Sequence, residues 1–353
     1  MSKIRHQHVL AVMILTLLIA AALRLPTLAT IPPGPHYDEA ANAILAAEIG
    51  IDGKRPIFIS SYTGKEVLFF YLAGGVMRVV GESVFSLRIT AVFVSLLTIA
   101  ATYWLGVEST RDKRIALLAA GILAVSFWHL LFSRLGFRAV TQPLLQALTA
   151  AALLRGLRRE QWRWFIVSGI ALGLTAYTYL AARLFPILLL IAALPLLLNR
   201  KMRRHRLPQL VLTGTVGLIV LTPLLLYFVR NPDAFWVRIG QVAPDTAVLS
   251  IGESYWRSLL MLVWQGDPYI RFNLPDLPLF GWWWSVMLLV GWLVGWRRWR
   301  FYKRDWERFV TILLLLTPFF MILPTALATS EIVPSNLRAI GLMPFIFYLP
   351  AMG

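Results

Sequence analysis

VFSLRITAVFVSLLTIAATYWLGV, residues 84–107, decides the fold class. As a helix this stretch would be about 36 Å long at ~1.5 Å per residue, more than the ~30 Å hydrocarbon core of a bilayer. Similar apolar runs lie at 8–29, 114–133, 139–156, 163–181, 184–198, 208–229, 279–296 and 309–328, with a shorter last one from 339 to 353. The pattern predicts an all-α polytopic membrane protein with about ten transmembrane helices and short interfacial helices in the outer loops. One transmembrane domain over 1–353 is expected. Of 353 residues, 58% are hydrophobic and 14% charged, against about 25% charged in soluble domains. The net charge of +17 would suggest nucleic acid in a soluble chain. Here the basic residues sit in short clusters between apolar runs, so topology accounts for them and no nucleic-acid partner is expected. There is no cysteine, hence no disulfide framework and no thiolate chemistry.

The first run follows Lys3 and Arg5 and passes through Ala20-Ala21-Ala22. A cleavable signal peptide is the other reading of such a segment. The run stays apolar past the alanines and further spans follow, which favours a retained helix. The last run is shorter than a span. It predicts a longer chain, a re-entrant end, or an end packed in a larger assembly.

Charge sets the orientation. With the N-terminus inside and the runs alternating, Lys3, Arg5 and the clusters at 108–114, 155–163, 200–206 and 297–308 all fall inside. These segments hold 20 of the 34 Lys and Arg and five of the 17 acids, so the inside carries +15 and the outside +2. Short basic loops stay cytoplasmic. A multi-pass protein of the cell (plasma or inner) membrane with a cytoplasmic N-terminus is predicted. Trp282, Trp283 and Trp284 open one run and Trp292, Trp296 and Trp299 close it, as interface anchors do.

Two outside loops, 30–83 and 230–278, are too long to be plain connectors. In the first, Pro32, Pro33 and Pro35 are read as the stop of the first helix. Asp38-Glu39 then opens a short helix over AANAILAAEIG, where carboxylates favour a helix N-terminus. A second short helix, from about Glu66 to Val80, is too short to span and too apolar to be solvated, which places it along the outer interface. Lys65 and Glu66 begin it. Helix-end electrostatics alone would explain the two acids. The functional reading is that carboxylates and a cation meet at the bilayer edge, which suits transfer of a group from a lipid phosphate to a hydroxyl. A carboxylate can take the hydroxyl proton, and a cation can stabilise the departing phosphate. A phosphate leaves as a stable anion, so the second carboxyl of a glycosidase is not needed.

Arg134, Arg138 and Arg183 lie at the outer ends of their runs. Each alone reads as a snorkelling side chain; together they read as a cationic pocket for a lipid-linked sugar phosphate. His129, beside Trp128, reads as a structural hydrogen-bond partner. His36, Asp38 and Glu39 are the candidate ligands for a divalent metal, without a diagnostic spacing; no cofactor is otherwise indicated. In the second loop Glu253, Trp256, Trp264, Asp267, Tyr269 and Arg271 are candidates for an acceptor groove, or for seating the loop on headgroups. Glu331, Asn336 and Arg338 are undecided in the same way.

The order of span, PHYDEAANA (35–43), then YTGKEVLFFYLAGGVMRVVGESVFSLRITAVFVSLLTIAATYWLG (62–106) resembles the lipid-phosphate-sugar-dependent membrane glycosyltransferases of the GT-C class. The bacterial protein O-mannosyltransferase-like and aminoarabinose-transferase-like members are the most similar. SRLGFRAVTQPLLQALTAAALL (133–154) and GIALGLTAYTYLAARLFP (169–186) extend the resemblance over the first 200 or so residues. It continues more loosely through QGDPYIRFNLPDLPLFG (265–281) and SNLRAIGLMP (335–344). The resemblance implies that Asp38 is the catalytic base and that Lys65 contacts the donor phosphate. Glu39, Glu66, Arg134, Arg138 and Arg183 are the remaining substrate-binding candidates. Two positions depart from the family: Glu66 and Val67 follow the lysine where prolines are common, and Ala40, Ala41 and Asn42 follow the acids where some members carry a phosphate-binding arginine. The implied reaction is inverting transfer from a polyprenyl-phosphate sugar to a protein, lipid or glycan acceptor on the outer face, among membrane lipids. A lipid or solute transporter and a non-catalytic scaffold subunit are the competing readings. Neither paired interrupted helices nor a repeated hydropathy pattern, the marks of many transporters, stands out.

Overall fold

A computed structural model describes residues 6–62, 64–198, 200–240, 249–299, 301 and 304–353. The architecture is helical, with one isolated antiparallel bridge, Ile59 to Lys65, and no strand among the described residues. In chain order the helices are α1 His6–Arg24, α2 Tyr37–Gly50, α3 Leu68–Val80, α4 Val84–Thr110, α5 Lys113–Val125, α6 Phe127–Arg134, α7 Thr141–Arg159 and α8 Trp162–Thr175. They continue as α9 Phe185–Leu198, α10 Arg200–Arg230, α11 Pro232–Gly240, α12 Ile251–Leu260, α13 Trp282–Trp299, α14 Asp305–Phe320, α15 Leu323–Ala326 and α16 Tyr348–Met352. Among the described residues five helical segments are long and apolar enough to cross a membrane, and the α5–α6 pair, bent by 56°, makes a sixth. This is a multi-pass membrane protein. Lys3, Arg5, Arg300 and Lys303 of the inside clusters lie outside the described residues.

Three features depart from the expected helix ends. α1 stops at Arg24, not at the prolines 32–35. Pro26 follows Leu25, and the residue before a proline is pushed out of the helical region. The run at 114–133 is broken at Ser126, whose ψ of 126° is not helical. Arg24 satisfies a freed carbonyl there, donating from Nη1 to Ala124 O at 2.9 Å, while its Nη2 meets His129 Nδ1 at 3.1 Å. His129 is thus a structural partner, as expected. The run from 339 folds as 3₁₀ turns at Arg338–Leu342 and Phe345–Phe347 followed by α16. It is buried inside this chain, against α13 and α5.

The two short helices of the first long loop, 30–83, form where the sequence placed them. α2 and α3 cross at Gly50 and Gly74, almost backbone to backbone. A Cβ on Gly74 would lie 2.7 Å from Ala46 O and 2.8 Å from Gly50 N. Arg78 on α3 donates through Nε to Gly50 O, capping the end of α2. A Gly74→Ala substitution is therefore expected to cost about 1–3 kcal/mol through overpacking. Thermal unfolding in detergent would show it as a lowered midpoint; an unchanged midpoint would mean the helices part freely.

α4 links the two ends of the bundle. Near its start Arg88 meets the first long loop. At its far end Glu108 pairs with Arg155 and Arg158 of α7, at 3.4 and 2.6 Å. Arg111 and Arg158 stack on Trp306 of α14, and Arg206 of α10 pairs with Asp305 at 2.6 Å. Segments from four of the basic clusters thus meet at one end. Arg88 and Glu108 are about 30 Å apart along the helix at ~1.5 Å per residue, a bilayer core's thickness.

Candidate active site

His36 caps α2, its Nδ1 accepting from the Asp38 amide at 3.4 Å, so Asp38 and Glu39 occupy the first turn. Successive helical residues point about 100° apart, and the two acids therefore part company. Asp38 faces a cavity of about 660 Å³, which is also lined by Asn42, Lys65, Arg138, Arg183 and Arg271. Glu39 turns the other way, into the protein.

Glu39 forms a fork-to-fork ion pair with Arg88, Nε to Oε1 at 2.7 Å and Nη2 to Oε2 at 2.8 Å. Both side chains are 1% exposed. The Arg88 guanidinium also donates to the carbonyls of Leu28, Pro32 and Gly34, at 3.0–3.1 Å. One arginine thus holds the irregular stretch between α1 and α2 and the base of α2. Glu39 is not a cavity residue; it positions the helix that carries Asp38.

The link between α6 and α7, RLGFR (134–138), meets this loop residue by residue. Arg134 donates to the carbonyls of Arg24, Pro26 and Ile31 at 2.7–3.0 Å, tying down the end of α1. It does not line the cavity, contrary to expectation, because those carbonyls have no helical partners of their own. The Gly136 amide donates to Glu39 Oε1 at 3.1 Å. Arg138 reaches the cavity, pairing with Glu66 at 2.9 Å and lying over Tyr179. Glu66 is behind the wall, 2% exposed, and its role is to hold Arg138. Lys65 is 5% exposed and donates from Nζ to Asn42 Oδ1 at 2.7 Å. Arg183 lines the cavity over Phe228 and Phe235.

The second long loop, 230–278, contributes the cation that faces Asp38. Asp267 is fully buried and accepts from the amides of Tyr269 and Asn336, each at 2.8 Å. Burial pushes its carboxyl up, and the two amides pull the other way. Asn273 donates to Asp267 O and Leu277 O at 3.0 and 2.7 Å. The turn so fixed projects Arg271 among Tyr37, Phe137 and Phe272. Its Nη1 meets Asp38 Oδ2 at 2.7 Å, with the Arg271 side chain 9% exposed and that of Asp38 36%. Arg271 Nε and Nη2 are buried with no hydrogen-bond partner among the described residues. Burial and the Arg271 charge lower the pKa of His36 nearby.

Of the acceptor candidates, Asp267, Tyr269, Arg271, Glu331 and Arg338 line the cavity. Glu331 and Arg338 form an ion pair. Glu253 instead pairs with Arg257 on the surface, and Trp256 and Trp264 are 61% and 76% exposed. Asn336 is buried and donates to Phe272 O. Among the described residues no three His, Asp or Glu side chains converge to hold a metal ion. The set of His36, Asp38 and Glu39 does not form, because Glu39 is turned onto Arg88.

Arg88 is not among the sequence candidates, and Arg271 is one only for an acceptor groove. Arg88 is a charge inside an apolar run, a costly placement that signals a buried partner. Arg271 gave no such signal, since an arginine in a polar loop is unremarkable until its neighbours are known.

The family model described as dolichyl-phosphate-mannose-protein mannosyltransferase matches residues 65–227. An undecaprenyl phosphate-alpha-4-amino-4-deoxy-L-arabinose arabinosyl transferase of Pectobacterium carotovorum subsp. carotovorum (strain PC1) is 28% identical over 240 residues, 63% of this chain and 41% of the relative. The chain therefore spans less than half the length of the curated relatives it matches. Among solved structures, ArnT from Cupriavidus metallidurans bound to undecaprenyl phosphate superposes with a TM-score of 0.69 at 16% identity, over 99% of this chain and 60% of that one. The archaeal oligosaccharyltransferase AglB from Archaeoglobus fulgidus, in complex with an inhibitory peptide and a dolichol-phosphate, gives 0.63 at 19% identity, over 99% and 50%.

Proposed function

We propose that this chain, which is similar to the GT-C class of membrane glycosyltransferases, moves a sugar from a polyprenyl-phosphate donor to an acceptor hydroxyl, with inversion and with Asp38 as general base. The observation that carries this reading is the pairing, in one cavity, of a partly exposed carboxylate with a buried guanidinium whose Nε and Nη2 lack partners among the described residues. Unpaired buried donors are costly, and a phosphate supplies the acceptors they lack. Lys65 lines the same cavity and Arg138 and Arg183 extend its cationic wall.

The step balances as a single displacement. Asp38 takes the proton of the acceptor hydroxyl as its oxygen attacks the anomeric carbon. The bond from that carbon to the phosphate oxygen breaks, and the lipid phosphate leaves as an anion facing Arg271 and Lys65. One displacement without a sugar–enzyme bond inverts the anomeric centre. The Asp38–Arg271 pair uses one carboxylate oxygen and leaves the second for the acceptor proton.

The bundle's two ends support one sidedness. The basic segments gather around Glu108 and Asp305, and short basic loops stay cytoplasmic. The cavity lies at the other end of α4, so the reaction is assigned to the extracytoplasmic face of the plasma or inner membrane. The acceptor, a protein, lipid or glycan, approaches there, while the donor arrives within the outer leaflet.

Arg271→Ala tests the donor contact. It is expected to weaken undecaprenyl phosphate binding by about ten- to a hundredfold, the worth of a hydrogen bond to a charged group. Transfer from a radiolabelled lipid-linked sugar in proteoliposomes should fall with it. Native binding and transfer in this variant would remove the phosphate from Arg271.

A further inference from the structure

Asn42 has no role in the mechanism so far, yet it is 1% exposed and touches both halves of the site. Its Oδ1 accepts from Lys65 Nζ at 2.7 Å and its Nδ2 donates to Gly136 O at 2.8 Å. These partners fix the amide's orientation, since an ammonium only donates and a carbonyl only accepts. Asparagine meets both demands at once. Aspartate has no proton for the carbonyl, and leucine serves neither partner.

The placement along α2 matters as much as the bonds. Asp38 and Asn42 are four residues apart, so they stand one above the other on the same helix face. Glu39, three residues before Asn42, is held by the amide of the same Gly136 whose carbonyl receives Asn42. The two peptide groups that flank Gly136 therefore clamp the first two turns of α2. No side chain fits at Gly136: a Cβ there would strike Leu87 and lie 3.4 Å from Glu39 Cγ. Lysine reaches the site through a flexible four-carbon stem, and the Asn42 amide gives that stem a fixed end point beside Asp38.

We propose that Asn42 is a positioning residue for the transfer: it holds the Lys65 ammonium in register with Asp38 and thereby sets donor-phosphate affinity through Lys65. This rests on the reading that Lys65 meets the donor phosphate.

The test is a double-mutant cycle on the full chain in detergent, with undecaprenyl phosphate as the probe and its dissociation constant as the readout. Lys65→Met is expected to weaken binding by about ten- to a hundredfold, and Asn42→Ala by about tenfold. In the Lys65→Met background, Asn42→Ala should add less than about twofold, because residues acting through one contact are not additive. A purely structural asparagine would lower affinity equally in both backgrounds, and that result overturns the proposal, as does native affinity in Asn42→Ala. Should Asn42→Ala fail to fold, Asn42→Asp serves. It keeps the size and the lysine contact but compensates the ammonium charge, so the same loss is expected only where Lys65 is present. An effect independent of Lys65 again overturns the proposal. Native affinity in Lys65→Met would overturn the Lys65 reading and the proposal together, whereas a Lys65-dependent loss with no Asn42 effect removes Asn42 alone.

Discussion

Asp38→Asn is expected to lower the rate of sugar transfer by about 10²–10⁴-fold, the usual contribution of a positioned general base. Asparagine has the same shape and its oxygen still accepts from Arg271, so the geometry of the cavity survives. The amide cannot take the acceptor proton. Stability should change little, because Asp38 is more than a third exposed and half-solvated ion pairs contribute up to about 1 kcal/mol. Donor binding should stay equal or tighten, since Arg271 loses a competing anion. The combination of lost transfer with retained undecaprenyl phosphate binding separates a base from a binding residue. Steady-state transfer in proteoliposomes and a binding titration on the same preparation measure both. A variant that transfers sugar at the native rate would take Asp38 out of the role.

Arg88→Met is expected to destabilise the protein by about 3–5 kcal/mol, because it leaves the Glu39 carboxylate buried with only the Gly136 amide. The loss reaches the chemistry through Asp38, whose helix and preceding loop are held by the same guanidinium. The double variant Arg88→Met/Glu39→Met should regain part of the loss, since replacing both members of a buried pair removes the isolated charge. It should not regain all of it, because the carbonyls of Leu28, Pro32 and Gly34 still lack their donor. The unfolding midpoints of the two variants in detergent, read side by side, check this order. Equal stability of Arg88→Met and the native chain would mean that the pair holds nothing.

The fold class was legible because a membrane span writes itself into the sequence as an apolar run, and the run at 84–107 became α4. The breaks were less legible. Pro26 ends α1 although Pro32, Pro33 and Pro35 looked the more obvious stop, and nothing apolar or polar about Ser126 announces the 56° bend. Asp38 and Lys65, singled out by their shared loop and by the resemblance, both line the cavity. Glu39 and Glu66 looked equivalent to Asp38 by position, yet each is consumed by an arginine on a later segment, Arg88 and Arg138. Such pairings are set by the packing of α4 and the α6–α7 link against α2, which local sequence does not encode. Arg271 is the extreme case: it meets Asp38 only because the second long loop folds over the first. Asn42, one of the three residues that follow the acids where the resemblance implies a phosphate-binding arginine, accepts a hydrogen bond from Lys65.

A structure of the chain with undecaprenyl phosphate, determined in nanodiscs, tests the proposed donor site most directly. The expected result is a phosphate seated between Lys65 and Arg271, with the Asp38–Arg271 contact loosened as the guanidinium turns its unpartnered nitrogens onto it. A lipid phosphate bound instead at the basic end around Arg111 and Arg158, with Lys65 and Arg271 unmoved, would contradict it.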